Sequence, residues 1–187
     1  MHPQKSFART GILTLGILPF ILFSCRSGRE LPVVDEVDLE QYAGTWYDIA
    51  HLPQRFQKGC KCVTAEYTPA EDHVKVVNTC VDEETDEVSQ ARGKAFPVEG
   101  SNNARLKVQF FWPFKGDYYI IALNEAYTMA MVGAPNRKYL WILSRTPEPD
   151  PLFFNQYMER AKELGFDTEA LEFTDQSCHI KPMPGKS

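Results

Sequence analysis

From Thr45 onward, apolar and polar residues alternate in short runs separated by turn residues, the period-2 signature of strands with one face buried. The runs predicted as strands are Thr45 to Leu52, Cys62 to Thr68, Val74 to Val81, Val88 to Pro97, Arg105 to Phe111, Tyr118 to Leu123, Tyr127 to Val132 and Tyr139 to Ser144. Between them stand Pro69-Ala-Glu-Asp72, Gly100-Ser-Asn-Asn103, Asn124-Glu125 and Pro135-Asn-Arg-Lys138, all rich in residues that turn a chain. Eight short strands with short connections predict an up-and-down antiparallel meander. Closing it into a barrel removes the exposed edges that a flat meander would present. The class is therefore all-β.

The period changes on either side of this block. Val37 to Tyr42 is spaced for one helical turn plugging an end of the fold. After Pro147-Glu-Pro-Asp-Pro151, apolar residues fall at Phe154, Tyr157, Met158, Ala161 and Leu164, one face of an amphipathic helix. Asp150 suits its N-cap, Pro151 its first turn and Gly165 its end. A lone helix after a barrel is predicted to pack its apolar stripe on the barrel wall. A last strand-like piece, Leu171 to Thr174, leads to the tail bearing Cys178. Repeats, low-complexity tracts and a second domain are not evident.

The first 24 residues follow neither period. Lys5 and Arg9 precede a mostly apolar run from Ile12 to Phe23, and Ser24 precedes Cys25, the pattern of a cleaved secretory signal. The run is shorter than the roughly 20 residues of a spanning helix. Leu22-Phe-Ser-Cys25 looks like a bacterial lipobox, which implies that Cys25 is the acylated first residue of the mature protein. Arg26, in place of an aspartate, implies the outer membrane. Residues 25–36, polar and holding Pro32, read as a tether, residues 37–181 as the domain and 182–187 as a tail. Without the two basic residues of the signal, 18 basic side chains face 25 acidic ones, a net charge of −7. With no basic stripe, nucleic acid is an unsuited partner, and general attraction to anionic lipid is not expected.

Apart from Cys25, four cysteines remain: Cys60, Cys62, Cys80 and Cys178. In an exported domain that number implies two disulfides. Cys-x-Cys with two distant partners is a poor zinc pattern, so no metal is expected. In a strand Cys60 and Cys62 face the same way, so each should reach a different partner. Spacing leaves the connectivity open.

Three blocks occur in order: Gly44-Thr-Trp46, Gly116-Asp-Tyr-Tyr-Ile-Ile-Ala-Leu123 with Tyr127 beyond it, and Trp141-Ile-Leu-Ser-Arg145. With the helix in its place, the stretch from Val37 to Cys178 resembles the lipocalin family, in its bacterial outer-membrane lipoprotein branch near apolipoprotein D. The resemblance implies an eight-stranded calyx, closed at one end by Arg145 stacked on Trp46 beside Gly44, and open at the other to an apolar ligand. It also implies the pairing Cys62–Cys178, which leaves Cys60–Cys80. Counting back by twos from Arg145 places Leu143, Trp141 and Tyr139 on the inward face. Trp141, Tyr118 and Met131, then Phe110 and Val76, are the expected lining, since aromatic and Met side chains bury large, adaptable apolar area. The ligand is expected to be a fatty acid or lysophospholipid, with no cofactor. The membrane is joined through acylated Cys25 on the periplasmic face of the outer membrane, in a role of lipid maintenance. A homodimer is compatible with this reading.

Catalysis finds little support. A calyx cysteine would need a free thiol and a base. His51 differs in strand parity from Trp46, which puts it on the surface. No Gly-x-Ser-x-Gly or His-Glu-x-x-His motif occurs. A third class, a docking lipoprotein with a filled barrel, would share the anchor but bind no lipid. The acidic run Asp82 to Glu87 lacks the glycine and spacing of a calcium loop. Phe110-Phe-Trp-Pro-Phe114 is either strand-end core or an apolar lip at the calyx mouth.

Overall fold

The computed structural model describes residues 30–180, so the signal, Cys25 and the tail 182–187 lie outside the described residues. After a single helical turn, α1 (Leu39–Tyr42), come eight strands: β1 (Gly44–His51), β2 (Cys60–Pro69), β3 (Val74–Asp82), β4 (Val88–Pro97), β5 (Arg105–Gln109), β6 (Gly116–Leu123), β7 (Met129–Gly133) and β8 (Leu140–Ser144). Each pairs antiparallel with its successor, and β8 pairs back onto β1, which closes the barrel. Helix α2 (Pro151–Glu163) and a two-residue strand β9 (Glu172–Phe173) follow. β9 lies against Ala50 and His51, where β1 has left β2.

Strand alternation sorts the apolar residues into two clusters. Trp46, Tyr67, Val76, Leu106, Tyr118 and Leu143 belong to the cluster inside the barrel. Ala50, Met129, Met131, Leu140 and Ile142 join Tyr157 and Ala161 of α2 in a second cluster outside the wall. The Tyr157 hydroxyl donates to the Met129 carbonyl at 3.1 Å, pinning the helix to β7. Asp150 caps α2 by accepting from the Leu152 N–H at 2.8 Å. Gly165 ends it at φ +83°, a conformation costly for other residues.

Three expectations are corrected here. Met131 pairs with Ile142 and faces α2, so it lines the outer cluster and not the calyx; its neighbour Val132, opposite Trp141, is the inward residue. The segment expected as a free tether is packed from Leu31 on: Leu31 is fully buried, and the Val34 N–H donates to the Ile120 carbonyl at 3.0 Å. Cys60 and Cys62 do find different partners, Cys80 and Cys178, with Cα separations of 5.4 and 6.2 Å. They do not share a face, however. The register shifts between Lys61 and Thr64, and Cys62, at φ 52°, turns to the C-terminal tail, its N–H on the Asp175 carbonyl.

Candidate functional site

The closed end is built from backbone carbonyls that converge on one guanidinium. Arg145, just past β8, stacks over the Trp46 ring with its Cζ 4.0 Å from the centroid. It donates to the carbonyls of Thr45 at 2.9 Å, Gln41 at 2.8 Å, Ala43 at 2.8 Å and Tyr127 at 3.2 Å. Gly44 stands at φ +91° with Nη1 of Arg145 at 3.4 Å from where a Cβ would sit, so this corner is reserved for glycine. The Trp46 Nε1–H donates to the Tyr42 carbonyl at 2.8 Å. The sequence signature Gly44, Trp46 and Arg145 is thus one structural unit.

Above this floor three hydroxyls meet. Tyr118 Oη lies 2.9 Å from that of Tyr42 and 2.8 Å from that of Tyr67. Burial raises the pKa of all three hydroxyls, that of Tyr67 to about 12, so the group stays neutral at physiological pH. Three hydroxyl protons serve two contacts, which leaves one O–H free to donate elsewhere.

Higher on the wall sits a polar network that sequence reasoning missed. A β-bulge between Asp48 and Ala50 inverts the parity of β1. Asp48 then pairs with Leu143 and His51 with Trp141, so both look inward, and His51 is 4% exposed instead of lying on the surface. His51 Nδ1 is 3.2 Å from Asp48 Oδ2, and its Nε2 is 3.6 Å from Glu172. Burial lowers the imidazole pKa, but the Asp48 hydrogen bond and charge, with Glu172, outweigh it and raise the net value. Gln57, from the β1–β2 loop, donates to Asp48 Oδ2 at 2.6 Å and accepts from Trp141 Nε1–H at 2.8 Å. That loop is therefore tied across the inner wall. Asp48 Oδ1 and Asn78 Oδ1 are buried without a protein partner.

Of the expected lining, Trp141, Tyr118, Phe110 and Val76 come together on or against the inner cluster. The inner face opens upward: Val76 and Ala95 are buried, whereas Ala91 and Ser89, inward by register with Asn78 and Cys80, are exposed. At the rim a cleft of about 300 Å³ lies between Arg92, Gly93, Lys94, Gln109, Phe110 and Trp112. A Cβ on Gly93 would come within 2.8 Å of the Phe110 ring, so this glycine lets the aromatic lie flat on β4. β5 ends at Gln109, so Phe111, Trp112 and Phe114 stand out on the loop. Cys62, Cys178 and His179 are close enough to hold a metal, but both sulfurs are spent in the disulfide. Among the described residues no helix is long and apolar enough to cross a membrane.

Comparison with known proteins fits this architecture. Residues 37–176 match the family model described as a lipocalin-like domain. The chain is 42% identical over 145 residues to a Vibrio cholerae protein named outer membrane lipoprotein Blc, covering 76% of this chain and 85% of that one. It is 29% identical to apolipoprotein D of Bos taurus, covering 78% and 80%. Insecticyanin from the tobacco hornworm Manduca sexta superposes with a TM-score of 0.63 at 19% identity, covering 78% of this chain and 84% of that one, a likeness of fold.

Proposed function

The chain belongs to the lipocalin family, and from that membership we propose that it binds and carries one single-chain lipid, a fatty acid or lysophospholipid, in its calyx. An acylated Cys25 holds it to the periplasmic face of the outer membrane of a Gram-negative cell, where it serves lipid maintenance. Relatives from Vibrio cholerae and Escherichia coli that are named outer membrane lipoprotein Blc support the location. The observation that carries the reading is the inner face itself. It is sealed below by Trp46 and Arg145, and apolar around Val76, Val108, Phe110 and Trp141. Toward Ala91 and Ser89 it opens to solvent.

Such a site works by equilibrium burial, with no bond made or broken. An acyl chain leaving water for the calyx gains about 0.8 kcal/mol per methylene, roughly fourfold in affinity. Two buried acceptors on the wall, Asp48 Oδ1 and Asn78 Oδ1, suit a ligand that brings a hydroxyl. The glycerol hydroxyl of a lysophospholipid meets that need; a bare carboxylate near Asp48 does not. The thiol route to catalysis lacks its nucleophile, since Cys60, Cys62, Cys80 and Cys178 are all disulfide-bonded. Calorimetric titration with lysophospholipids of increasing chain length tests the proposal. Affinity should climb with each methylene until the calyx is full, and a series independent of length would refute burial as the driving force.

A further inference from the structure

With β1 rising from the Trp46 floor, the loops after β1, β3, β5 and β7 surround the open end. The loop after β5 carries Phe111, Trp112 and Phe114, which are 78%, 87% and 77% exposed, and the loop after β1 carries Phe56 at 65%. Four large apolar side chains held in water at one end of the molecule form a surface that a soluble monomer rarely keeps without a use. Basic side chains stand beside them. Arg92 and Lys94 line the rim cleft with Phe110 and Trp112, and Lys115 lies 4.3 Å above the Phe96 ring. Arg55 and Lys58 flank Phe56. The acidic turn at Glu83 to Glu87, in the loop after β3, lies between these two loops: the Glu83 N–H donates to the Gly59 carbonyl at 2.9 Å and Asp86 pairs with Lys61. The molecule is acidic as a whole, yet basic side chains gather beside the aromatic loop after β5.

We propose that this edge is a docking surface for a bilayer containing anionic phospholipid, into which Phe111, Trp112 and Phe114 insert while Arg92, Lys94 and Lys115 meet the phosphates. Trp and Phe at a boundary flanked by Lys and Arg are the residues such an interface takes. Glu30 is held by Arg105 Nη2 at 2.7 Å, at the start of β5. From Arg105 to Gln109 the strand climbs about 13 Å toward the aromatic loop. The five residues from Cys25 to Glu30 span up to about 17 Å when extended. That reach is long enough for an acylated cysteine to enter the same membrane surface as the aromatic loop, with the calyx mouth toward the lipids it would sample. This inference rests on the anchor and carrier reading given above.

The test uses the acylated full chain reconstituted in phosphatidylglycerol vesicles containing diacyl phospholipid brominated near the headgroup. Tryptophan quenching is expected, and the Trp112→Phe variant should lose most of it, since Trp46 is sealed in the floor and Trp141 lies in the wall. Trp112 left as accessible to aqueous iodide in vesicles as in water would overturn the docking surface. So would sedimentation showing Trp112 shielded by a second copy without lipid. In a second experiment, Phe111→Ser with Phe114→Ser should slow uptake of lysophospholipid from vesicles while leaving equilibrium affinity for dispersed lysophospholipid unchanged. Lys115→Glu should weaken the preference for phosphatidylglycerol over phosphatidylcholine about fivefold or more, and an unchanged preference would overturn the electrostatic half. Absence of any equilibrium lipid binding would sink the carrier reading instead, and the depth of Trp112 would still decide docking.

Discussion

Replacing Arg145 with alanine should cost about 2.5–6 kcal/mol of stability, and the structure shows where each part arises. The guanidinium makes four hydrogen bonds to the carbonyls of Gln41, Ala43, Thr45 and Tyr127. These carbonyls lie at a half-exposed corner and regain some hydration, so each lost bond counts for about 0.5–1 kcal/mol. The stack on Trp46 at 4.0 Å adds about 0.5–2 kcal/mol. Arg145→Lys keeps the charge over the ring but replaces a planar fork of donors with one ammonium that cannot reach four carbonyls. It should recover about half of the loss. Urea unfolding followed by tryptophan fluorescence measures both, and the alanine variant should melt roughly 10 °C lower for a domain of this size. A loss below about 0.5 kcal/mol, the scale of an ordinary surface substitution, would refute the claim that this residue closes the barrel. Lysine equal to alanine would refute the share assigned to the stack.

Met131→Ala should destabilise by about 2–5 kcal/mol and leave lipid affinity intact, because Met131 packs beneath α2; calorimetric titration of the folded variant separates the two effects. Removing the Cys62–Cys178 bridge, with a sequence separation of 116, should cost about 4–5 kcal/mol in the chain-entropy picture, against about 3 for Cys60–Cys80, read by denaturant unfolding of the paired alanine variants. His51 has a raised pKa in the fold, so its contact with Asp48 contributes in full below the unfolded value of about 6.5 and fades as pH rises through the folded value. Unfolding free energy should therefore fall relative to a His51→Gln variant as pH rises above about 6.5, and parallel curves would contradict the pair. Gly93→Ala should displace Phe110 and press on the Gln109 carbonyl, each 2.8 Å from the new Cβ, and so weaken both lysophospholipid binding, read by calorimetric titration, and stability, read by urea unfolding.

The strands were legible because one face of each meets a core, and alternation follows directly from that. Val88–Pro97 and the helix caps Asp150 and Gly165 fall where the pattern placed them. What parity could not supply was its own interruptions. A bulge leaves no mark in an alternation that otherwise continues, so His51 was sent to the surface although the shift at Asp48/Ala50 turns it inward beside Trp141. The same limit hid the departure of Cys62 from the face of Cys60. Met131 was placed by chemistry, since methionine suits pockets; only its register opposite Ile142 reveals that it faces α2. Gln57 and Asn78 look like ordinary polar residues in sequence, because their meaning lies in what the closed barrel brings beside them. The packed segment from Leu31 to Val37 carries too few residues for any period to show.

The most direct test of the account is native mass spectrometry of the protein freed of detergent and lipid, titrated with lysophospholipid and with fatty acid. A one-to-one adduct is expected, stronger for the lysophospholipid, and it should vanish when Trp141, on the inner wall opposite His51, is replaced by aspartate. No adduct with either lipid, or an adduct indifferent to that substitution, would contradict a lipid-carrying calyx and favour a barrel filled by its own side chains.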